Sequence, residues 1–155
     1  MSATYTEEQL SCVSRRIIRC AIAVHRALGP GLPEKVYHNA LILEATAQGV
    51  PIETEKRLTI HYRQHPVGDF RLDLLVEDTV VVEIKSTADP NPLFEAQLLN
   101  YMRIGGYPLC ALCALCALCA LCALCALCVY SGDFPALIRA LNFCPRCGML
   151  AAGTH

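Results

Sequence analysis

Two carboxylates and a lysine lie close enough in this sequence to support metal-dependent hydrolysis. Asp73 lies in one apolar segment, and the triplet Glu83-Ile84-Lys85 lies in the next. Hard cations such as Mg²⁺ prefer oxygen ligands, commonly one or two carboxylates together with waters. Glu83 and Lys85 are two residues apart, so on a strand their side chains leave the same face. Such a set can bind a cation that polarises a phosphodiester and activates a water for attack.

The turn between these two segments decides whether Asp73 and Glu83 can share a site. Residues that face each other in an antiparallel pair point to the same side of the sheet. A two-residue turn would place Asp73 opposite Val82, whose side chain leaves the other face. A three-residue loop over residues 77–79 would place Asp73 opposite Glu83. We therefore predict a three-residue loop or a bulge in this hairpin.

Two helices are predicted before these strands. Thr6 and Gln9 have the spacing of a capping box, and apolar residues then recur in steps of three and four along one helical face. The Gly-Pro-Gly segment at 29–31 ends this helix. A second helix is expected to begin at residue 33 or 34 and to end at residue 48, before a glycine.

Three strands and a third helix follow. Alternating apolar residues predict strands over 50–62, 70–76 and 79–85. In the second strand, one face is expected to carry the even-numbered apolar residues, Phe70, Leu72, Leu74 and Val76. A helix is predicted over 93–103, before two glycines. The order ααβββα predicts an α/β layered domain.

The composition limits the class of protein. The chain has 155 residues, enough for one domain with a buried core, and its formal net charge is −1. The chain lacks the basic excess that is typical of a high-affinity, non-specific nucleic-acid binder. Acidic metal ligands would themselves lower the net charge, so this does not exclude a nuclease. The first ten residues lack the basic and apolar regions of a signal peptide, which predicts a cytoplasmic location.

An Ala-Leu-Cys repeat follows the predicted helices and strands. Residues 109–128 read Leu-Cys and then six copies of Ala-Leu-Cys, so they hold seven of the eleven cysteines. A period of three matches neither a helix nor a strand. Three interpretations stay open: a transmembrane helix, a tandem expansion lying over a normal buried strand, and a multi-thiol metal or redox tract. The tandem expansion is favoured, because a literal triplet copied six times indicates repeat slippage. Cys144 and Cys147 form only half of a zinc ribbon.

Four motifs in one order resemble the PD-(D/E)XK nuclease superfamily over residues 6–108. The segments 73–78, D-L-L-V-E-D, and 80–85, V-V-V-E-I-K, resemble its D…E-x-K core. Gln97 and Tyr101 lie four residues apart on one helix face and match a Q-x-x-x-Y motif found in part of the superfamily. The segment G-L-P-E-K-V-Y is similar to the motif that names the GxxExxY family within it.

The resemblance implies a fold and an activity. The fold is a restriction-endonuclease-like core in which a central mixed sheet is flanked by helices. The activity is hydrolysis of nucleic-acid phosphodiester bonds with Mg²⁺ or Mn²⁺. Asp73 and Glu83 are implied as metal ligands, with the backbone carbonyl of Ile84 as a further ligand.

The resemblance also implies roles for four other residues. Lys85 would stabilise the nucleophile or the developing charge on the phosphate. Gln97 would orient Lys85 or the phosphate, and Tyr101 would support it. Glu34 would add a ligand or orient a water.

Simpler interpretations stay open beside these roles. Glu34 can be a favourable charge in the first turn of a helix, and Tyr37 a core residue. Glu83 and Lys85 can be an ordinary ion pair on a solvated face. Gln97 can be a surface residue. For the whole chain, the alternatives are a catalytically inactive nuclease-fold binding module and a protein anchored to a membrane through the repeat.

The expected organisation is a nuclease-like core over residues 1–108, the repeat over 109–128 and a divergent C-terminal tail over 129–155. Nucleic acid is the expected partner, with DNA favoured over RNA. A homodimer is left open, and contact with a membrane is disfavoured.

Overall fold

The computed structural model describes residues 5–85, 92–114, 125–131, 139–143 and 150–152. These described residues form three helices and seven strands. They are α1 (Glu7–Leu28), α2 (Glu34–Ala47), β1 (Ile52–Tyr62), β2 (His65–Val76), β3 (Val80–Lys85), α3 (Pro92–Gly105), β4 (Leu109–Ala114), β5 (Cys125–Ser131), β6 (Arg139–Phe143) and β7 (Leu150–Ala152). The predicted order ααβββα is confirmed.

Helix α1 begins and ends at the predicted signals. The hydroxyl of Thr6 accepts a hydrogen bond from the backbone N–H of Gln9 at 3.2 Å, and the Gln9 side chain accepts one from the backbone N–H of Thr6 at 2.8 Å. This reciprocal pair satisfies two N–H groups that a helix start leaves without partners. At the other end Gly29 has φ +70°, a conformation that glycine adopts without strain.

The loop between α1 and α2 is tied down by Tyr37. This buried side chain donates a hydrogen bond to the carbonyl of Gly29 at 2.6 Å and accepts one from the N–H of Leu32 at 3.1 Å. The tyrosine of the G-x-x-E-x-x-Y segment therefore fixes the α1–α2 connection.

The seven strands form one sheet in chain order, from β1 to β7. Strand β4 pairs with β3 in parallel, and the other neighbouring strands pair antiparallel. A parallel neighbour needs a crossover connection, and α3 lies in the connection between β3 and β4. Strands β1 to β4 thus form a mixed sheet flanked by helices, as the resemblance implies.

The β2–β3 hairpin has the predicted three-residue loop. Val76 pairs with Val80, and the N–H of Thr79 donates to the carbonyl of Val76 at 3.0 Å. Glu77 and Asp78 both have positive φ, 48° and 56°. The ladder continues from there to the pair Leu74–Val82.

Strand β2 corrects one expectation. Regular alternation would place Leu72 and Leu74 on the same face. Instead Leu72 packs with Leu75 in the cluster that contains α3, whereas Leu74 packs in the cluster formed with α1 and α2. The alternation is therefore interrupted at Asp73. At this position the Asp73 side chain takes up a backbone hydrogen-bond donor of β3, and the β1–β2 pairing skips Asp73.

Two apolar clusters cover the two faces of the sheet. One joins α1 and α2 to Leu74, Val76, Val80, Val82 and Ile84. The other joins α3 to residues of the opposite face, namely Leu72, Leu75, Val81 and Cys110. Strand β3 is consequently buried on both faces, as expected for a central strand with a parallel neighbour.

The described part of the repeat lies in the sheet as β4 and the start of β5. The thiol of Cys110 is buried and contacts the carbonyl of Leu98 at 3.6 Å, and burial raises its pKa to about 12. Cys110 thus packs as a protonated core residue.

Residues 115–124, and the pair Cys144 and Cys147, lie outside the described residues. Within the described ranges, no helix combines the length and the apolar character that crossing a bilayer requires.

Candidate active site

The candidate site is assembled where β2 and β3 separate. The carboxylate of Asp73 accepts a hydrogen bond from the backbone N–H of Ile84, with 2.9 Å between Oδ2 and N. The paired register of the two strands covers only Leu74 to Val76 on β2. A side-chain hydrogen bond therefore takes over where the backbone ladder stops. It holds the Asp73 carboxylate against the segment that carries Glu83 and Lys85.

The carboxylate of Glu83 is almost completely buried. Its side chain is 4% exposed, and Oε1 accepts a hydrogen bond from Nζ of Lys85 at 2.7 Å. Oε2 is also buried and has no hydrogen-bond partner among the described residues. Burial raises the pKa of Glu83 to about 7; the charges of Asp73 and Glu34 act in the same direction, and Lys85 opposes them.

Lys85 lies beside this carboxylate and keeps its positive charge. Its Nζ lies 5.2 Å from the centre of the Phe94 ring, within the range of a cation–π contact. Burial lowers the pKa of Lys85, but the hydrogen bond to Glu83 and the surrounding negative charges outweigh burial and raise the pKa above its ordinary value. The ammonium therefore stays charged near neutral pH.

Helix α3 brings Gln97 and Tyr101 to the same side of the sheet. The amide of Gln97 donates a hydrogen bond to the Tyr101 hydroxyl, which lies 3.5 Å from the backbone carbonyl of Arg71. The ring of Phe70 meets the Tyr101 ring edge-on at 5.3 Å. Burial, together with the charges of Glu83 and Asp73, raises the pKa of Tyr101 to about 12, so this hydroxyl keeps its proton.

Helix α2 approaches the site from the other flank. Glu34 is exposed in its first turn, and its negative charge still acts on Glu83 and Lys85. One turn further along, Nε2 of His38 lies 3.3 Å from the backbone oxygen of Asp73. Glu34 thus lies within electrostatic range of the carboxylates without being in the buried cluster.

The structure brings together the residues that the sequence singled out, except Glu34, which is exposed on α2. Asp73 is hydrogen-bonded to Ile84, and Glu83 is hydrogen-bonded to Lys85. Gln97 contacts Tyr101 on α3, and the charges of Glu83 and Asp73 act on the Tyr101 hydroxyl. Two neighbours were missed, His38 and Phe94. The spacing of four residues between Glu34 and His38 could have revealed the first. Nothing in the sequence singles out Phe94, because its contact with Lys85 depends on how α3 packs.

The side chains present fit a hard divalent cation. A buried, unpartnered carboxylate oxygen beside a second carboxylate is the kind of donor set that Mg²⁺ and Mn²⁺ accept, since they keep several waters and need one or two carboxylates. The described residues hold no group of three or more His, Cys, Asp or Glu side chains placed to bind a metal. The set is thus suited to a cation shared with water and substrate oxygens.

Comparison with known proteins agrees with this geometry. The family model described as the PD-(D/E)XK nuclease superfamily matches residues 11–118. Nucleases of this superfamily generally use divalent metals. No curated protein and no solved structure matches the chain. The matched region runs from within α1 to the end of β4 and beyond, and it includes every residue of the candidate site. On this match, the chain belongs to the PD-(D/E)XK nuclease superfamily.

Proposed function

We propose that this protein is a divalent-metal-dependent nuclease that hydrolyses the phosphodiester bonds of DNA. The observation that carries the proposal is the carboxylate of Glu83, which is buried, has one oxygen bonded to Lys85 and has its other oxygen without a partner among the described residues. A buried, unsatisfied acceptor is destabilising unless a ligand or water satisfies it. A cation at this oxygen would supply the missing partner.

Asp73 and Glu83 would hold the cation from neighbouring strands, with the carbonyl of Ile84 as a further ligand. A bound divalent cation would polarise the phosphate and lower the pKa of a water molecule. The hydrogen bond from the Ile84 N–H fixes the Asp73 carboxylate beforehand, so binding would cost little reorganisation. The cation would also favour the ionised form of Glu83, whose pKa burial raises.

Lys85 would supply the positive charge that the phosphate meets. Its side chain is 16% exposed and its ammonium lies between Glu83 and the ring of Phe94, so its position is restricted. A fixed donor of this kind stabilises the charge that develops on phosphate oxygens. Gln97 would orient Lys85 or the phosphate, and Tyr101, whose hydroxyl accepts a hydrogen bond from the Gln97 amide, would support Gln97. Glu34, exposed in α2, would orient a water or complete the ligand set.

One observation favours a second candidate function. The described residues contain no cluster of three or more metal-binding side chains, and Lys85 already neutralises part of Glu83. A catalytically inactive nuclease-fold module that binds nucleic acid or a partner is consistent with that. Such a module would have no use for Mn²⁺ at Asp73 and Glu83.

We also propose that the chain belongs to the GxxExxY family, on the segment that carries Glu34 and Tyr37. A cytoplasmic location, a homodimer and the three-part division of the chain stay predictions.

The test is cleavage of single- and double-stranded DNA and RNA with Mg²⁺, with Mn²⁺ and with a chelator. We expect metal-dependent cleavage of DNA that falls at least about 100-fold in Lys85→Ala and Asp73→Ala. Lys35→Ala, which removes an exposed lysine of α2, is the matched control and should cleave as the unaltered chain does. A folded protein that cleaves none of the four substrates would favour the inactive module.

A further inference from the structure

The β1–β2 hairpin extends well beyond the part of the sheet that carries the site. Strand β2 pairs with β3 only at Leu74 to Val76, whereas β1 and β2 remain paired with each other as far as Tyr62 and His65. We call residues 57–71 the hairpin arm. All residues over 61–69 are exposed, among them Tyr62 at 62% and Val67 at 61%. The arm is therefore a two-stranded ribbon whose outer half lies in solvent.

The charge of the hairpin arm differs from that of the whole chain. The chain carries a net −1, but residues 57–71 contain three arginines and one acidic residue, Asp69. Arg57 lies directly opposite Arg71 in the ladder, an arrangement of like charges that is destabilising by itself. Both side chains are more than 70% exposed; Arg57 is 3.6 Å from Asp69 and Arg71 is 3.2 Å from Glu55. Surface pairs of this kind are weak, so both arginines can exchange them for a phosphate.

The tip of the hairpin arm is a two-residue turn built without glycine or asparagine. Arg63 and Gln64 have φ of 48° and 67°. This backbone conformation is strained for any residue that carries a side chain. Glycine or asparagine would form such a turn with less strain. The guanidinium of Arg63 lies 5.4 Å from the centre of the Tyr62 ring. The turn thus places two long hydrogen-bonding side chains at the tip.

We propose that the hairpin arm is a β-ribbon that enters the major groove of double-stranded DNA, and this inference rests on the proposed function. Arg63 and Gln64 contact base edges, and Arg57 and Arg71 contact phosphates on either side. The major groove is wide enough for a two-stranded ribbon. Arginine with guanine and glutamine with adenine are the bidentate pairings that the groove offers. The deep, narrow major groove of double-stranded RNA excludes such a ribbon.

The base of the hairpin arm is coupled to the candidate site. Phe70 packs edge-on against Tyr101, and the carbonyl of Arg71 lies within 3.5 Å of the Tyr101 hydroxyl. Asp73 follows two residues later on the same strand. Asp73 lies eight positions after His65, which at the rise of a strand is about 27 Å. The arm would thus hold the duplex at a distance of several base pairs from the bond being cut.

The test is binding of the full chain to a long DNA duplex, to single-stranded DNA and to an RNA duplex, with a chelator present so that no strand is cut. We expect Arg63→Ala and Gln64→Ala to weaken duplex DNA binding about tenfold each. Arg57→Ala should lower the slope of log affinity against log salt concentration by about 1. Arg15→Ala, an exposed arginine of α1, is the matched control and should leave duplex DNA affinity unchanged. Melting temperatures of the variants would show that each one folds.

A conservative variant separates charge from base recognition. Arg63→Lys keeps the charge but loses the planar fork, so we expect the salt dependence to persist and the preference among duplex sequences to weaken. Unchanged duplex binding in Arg63→Ala, or an equal loss with single-stranded DNA and duplex RNA, would overturn the assignment. The two proposals fail separately. If duplex DNA binding depends on the hairpin arm but no metal-dependent cleavage is seen, only the proposed nuclease activity is refuted. If the protein cleaves DNA but the hairpin-arm variants bind duplex DNA as the unaltered chain does, only the proposed β-ribbon is refuted.

Discussion

The side chain of Asp73 bonds to the backbone N–H of Ile84 at 2.9 Å and so replaces a rung of the β2–β3 ladder. Counted from the hairpin loop, the backbone pairing of the two strands ends at Leu74 and Val82, next to Asp73 in the sequence. The contact lies where the alternation of β2 is interrupted, and it places the Asp73 carboxylate at Ile84, between Glu83 and Lys85 along β3. The relative position of the two candidate metal ligands therefore depends on it.

Two substitutions of Asp73 should separate its structural role from its chemical role. Asp73→Asn keeps an oxygen that can accept from the Ile84 N–H, whereas Asp73→Ala leaves that buried donor without it. We expect Asp73→Ala to lower the free energy of unfolding by about 1–3 kcal/mol and Asp73→Asn by less. Both should lose metal-dependent cleavage. Urea denaturation and cleavage assays on the same preparations check this, and full activity in Asp73→Asn would contradict a ligand role.

The raised pKa of Glu83 predicts how stability depends on pH in the absence of metal. Because the pKa is about 7 in the folded protein and has an ordinary value of 4.5 in a solvated glutamate, the folded protein binds this proton more tightly between those values. The contribution of this proton to the free energy of unfolding should be fully present below pH 4.5 and should be lost as the pH rises through 7, by up to about 3 kcal/mol. Glu83→Gln should remove this fall.

Denaturation of both proteins from about pH 5 to about pH 8 with a chelator measures that difference. Glu53→Gln, which alters an exposed carboxylate of β1, is the control and should keep the pH dependence of the unaltered chain. Parallel curves for Glu83→Gln and the unaltered chain would show that Glu83 does not titrate in this range.

Tyr37→Phe should reduce stability and leave the chemistry unaffected. The hydroxyl makes hydrogen bonds to Gly29 and Leu32, and the ring is fully buried. Removing the hydroxyl while keeping the ring should cost about 2 kcal/mol of unfolding free energy. Thermal unfolding and the cleavage rate well below the melting temperature test this. A large rate loss in a protein of unchanged stability would instead indicate a catalytic tyrosine.

Tyr101→Phe, unlike Tyr37→Phe, should slow cleavage as well as reduce stability. The edge-on contact with Phe70 would remain, but the hydroxyl that accepts a hydrogen bond from the Gln97 amide would be lost. We expect a loss of about 1 kcal/mol in stability and a fall of about tenfold in the cleavage rate. Gln97→Ala should lower the rate by a similar factor, and the double variant should add little, because the two residues act together.

The sequence predicts the order of elements because their boundaries depend on local chemistry. The capping box at Thr6 and Gln9 and the Gly-Pro-Gly segment mark the ends of α1 without any tertiary information. A three-residue loop or a bulge in the β2–β3 hairpin was also predicted, from the requirement that Asp73 and Glu83 share a site together with the period-two alternation of strands. The structure has the three-residue loop.

Other features depend on contacts that are distant in the sequence. The length of the hairpin arm was not predicted, because Arg63 and Gln64 carry none of the usual turn signals. The break in β2 at Asp73 was missed because a side chain that replaces a backbone hydrogen bond leaves no mark on hydrophobic alternation. The contact of Lys85 with Phe94 depends on the packing of α3.

The most direct test of the central claim is a titration of the protein with Mn²⁺, comparing the unaltered chain with Glu83→Gln and with Glu53→Gln. If Asp73 and Glu83 hold a cation, the unaltered chain and Glu53→Gln should bind Mn²⁺ with equal affinity, and Glu83→Gln should bind it at least about tenfold more weakly. Equal binding by Glu83→Gln, or no binding by the unaltered chain, would contradict the assignment of these carboxylates as a metal centre.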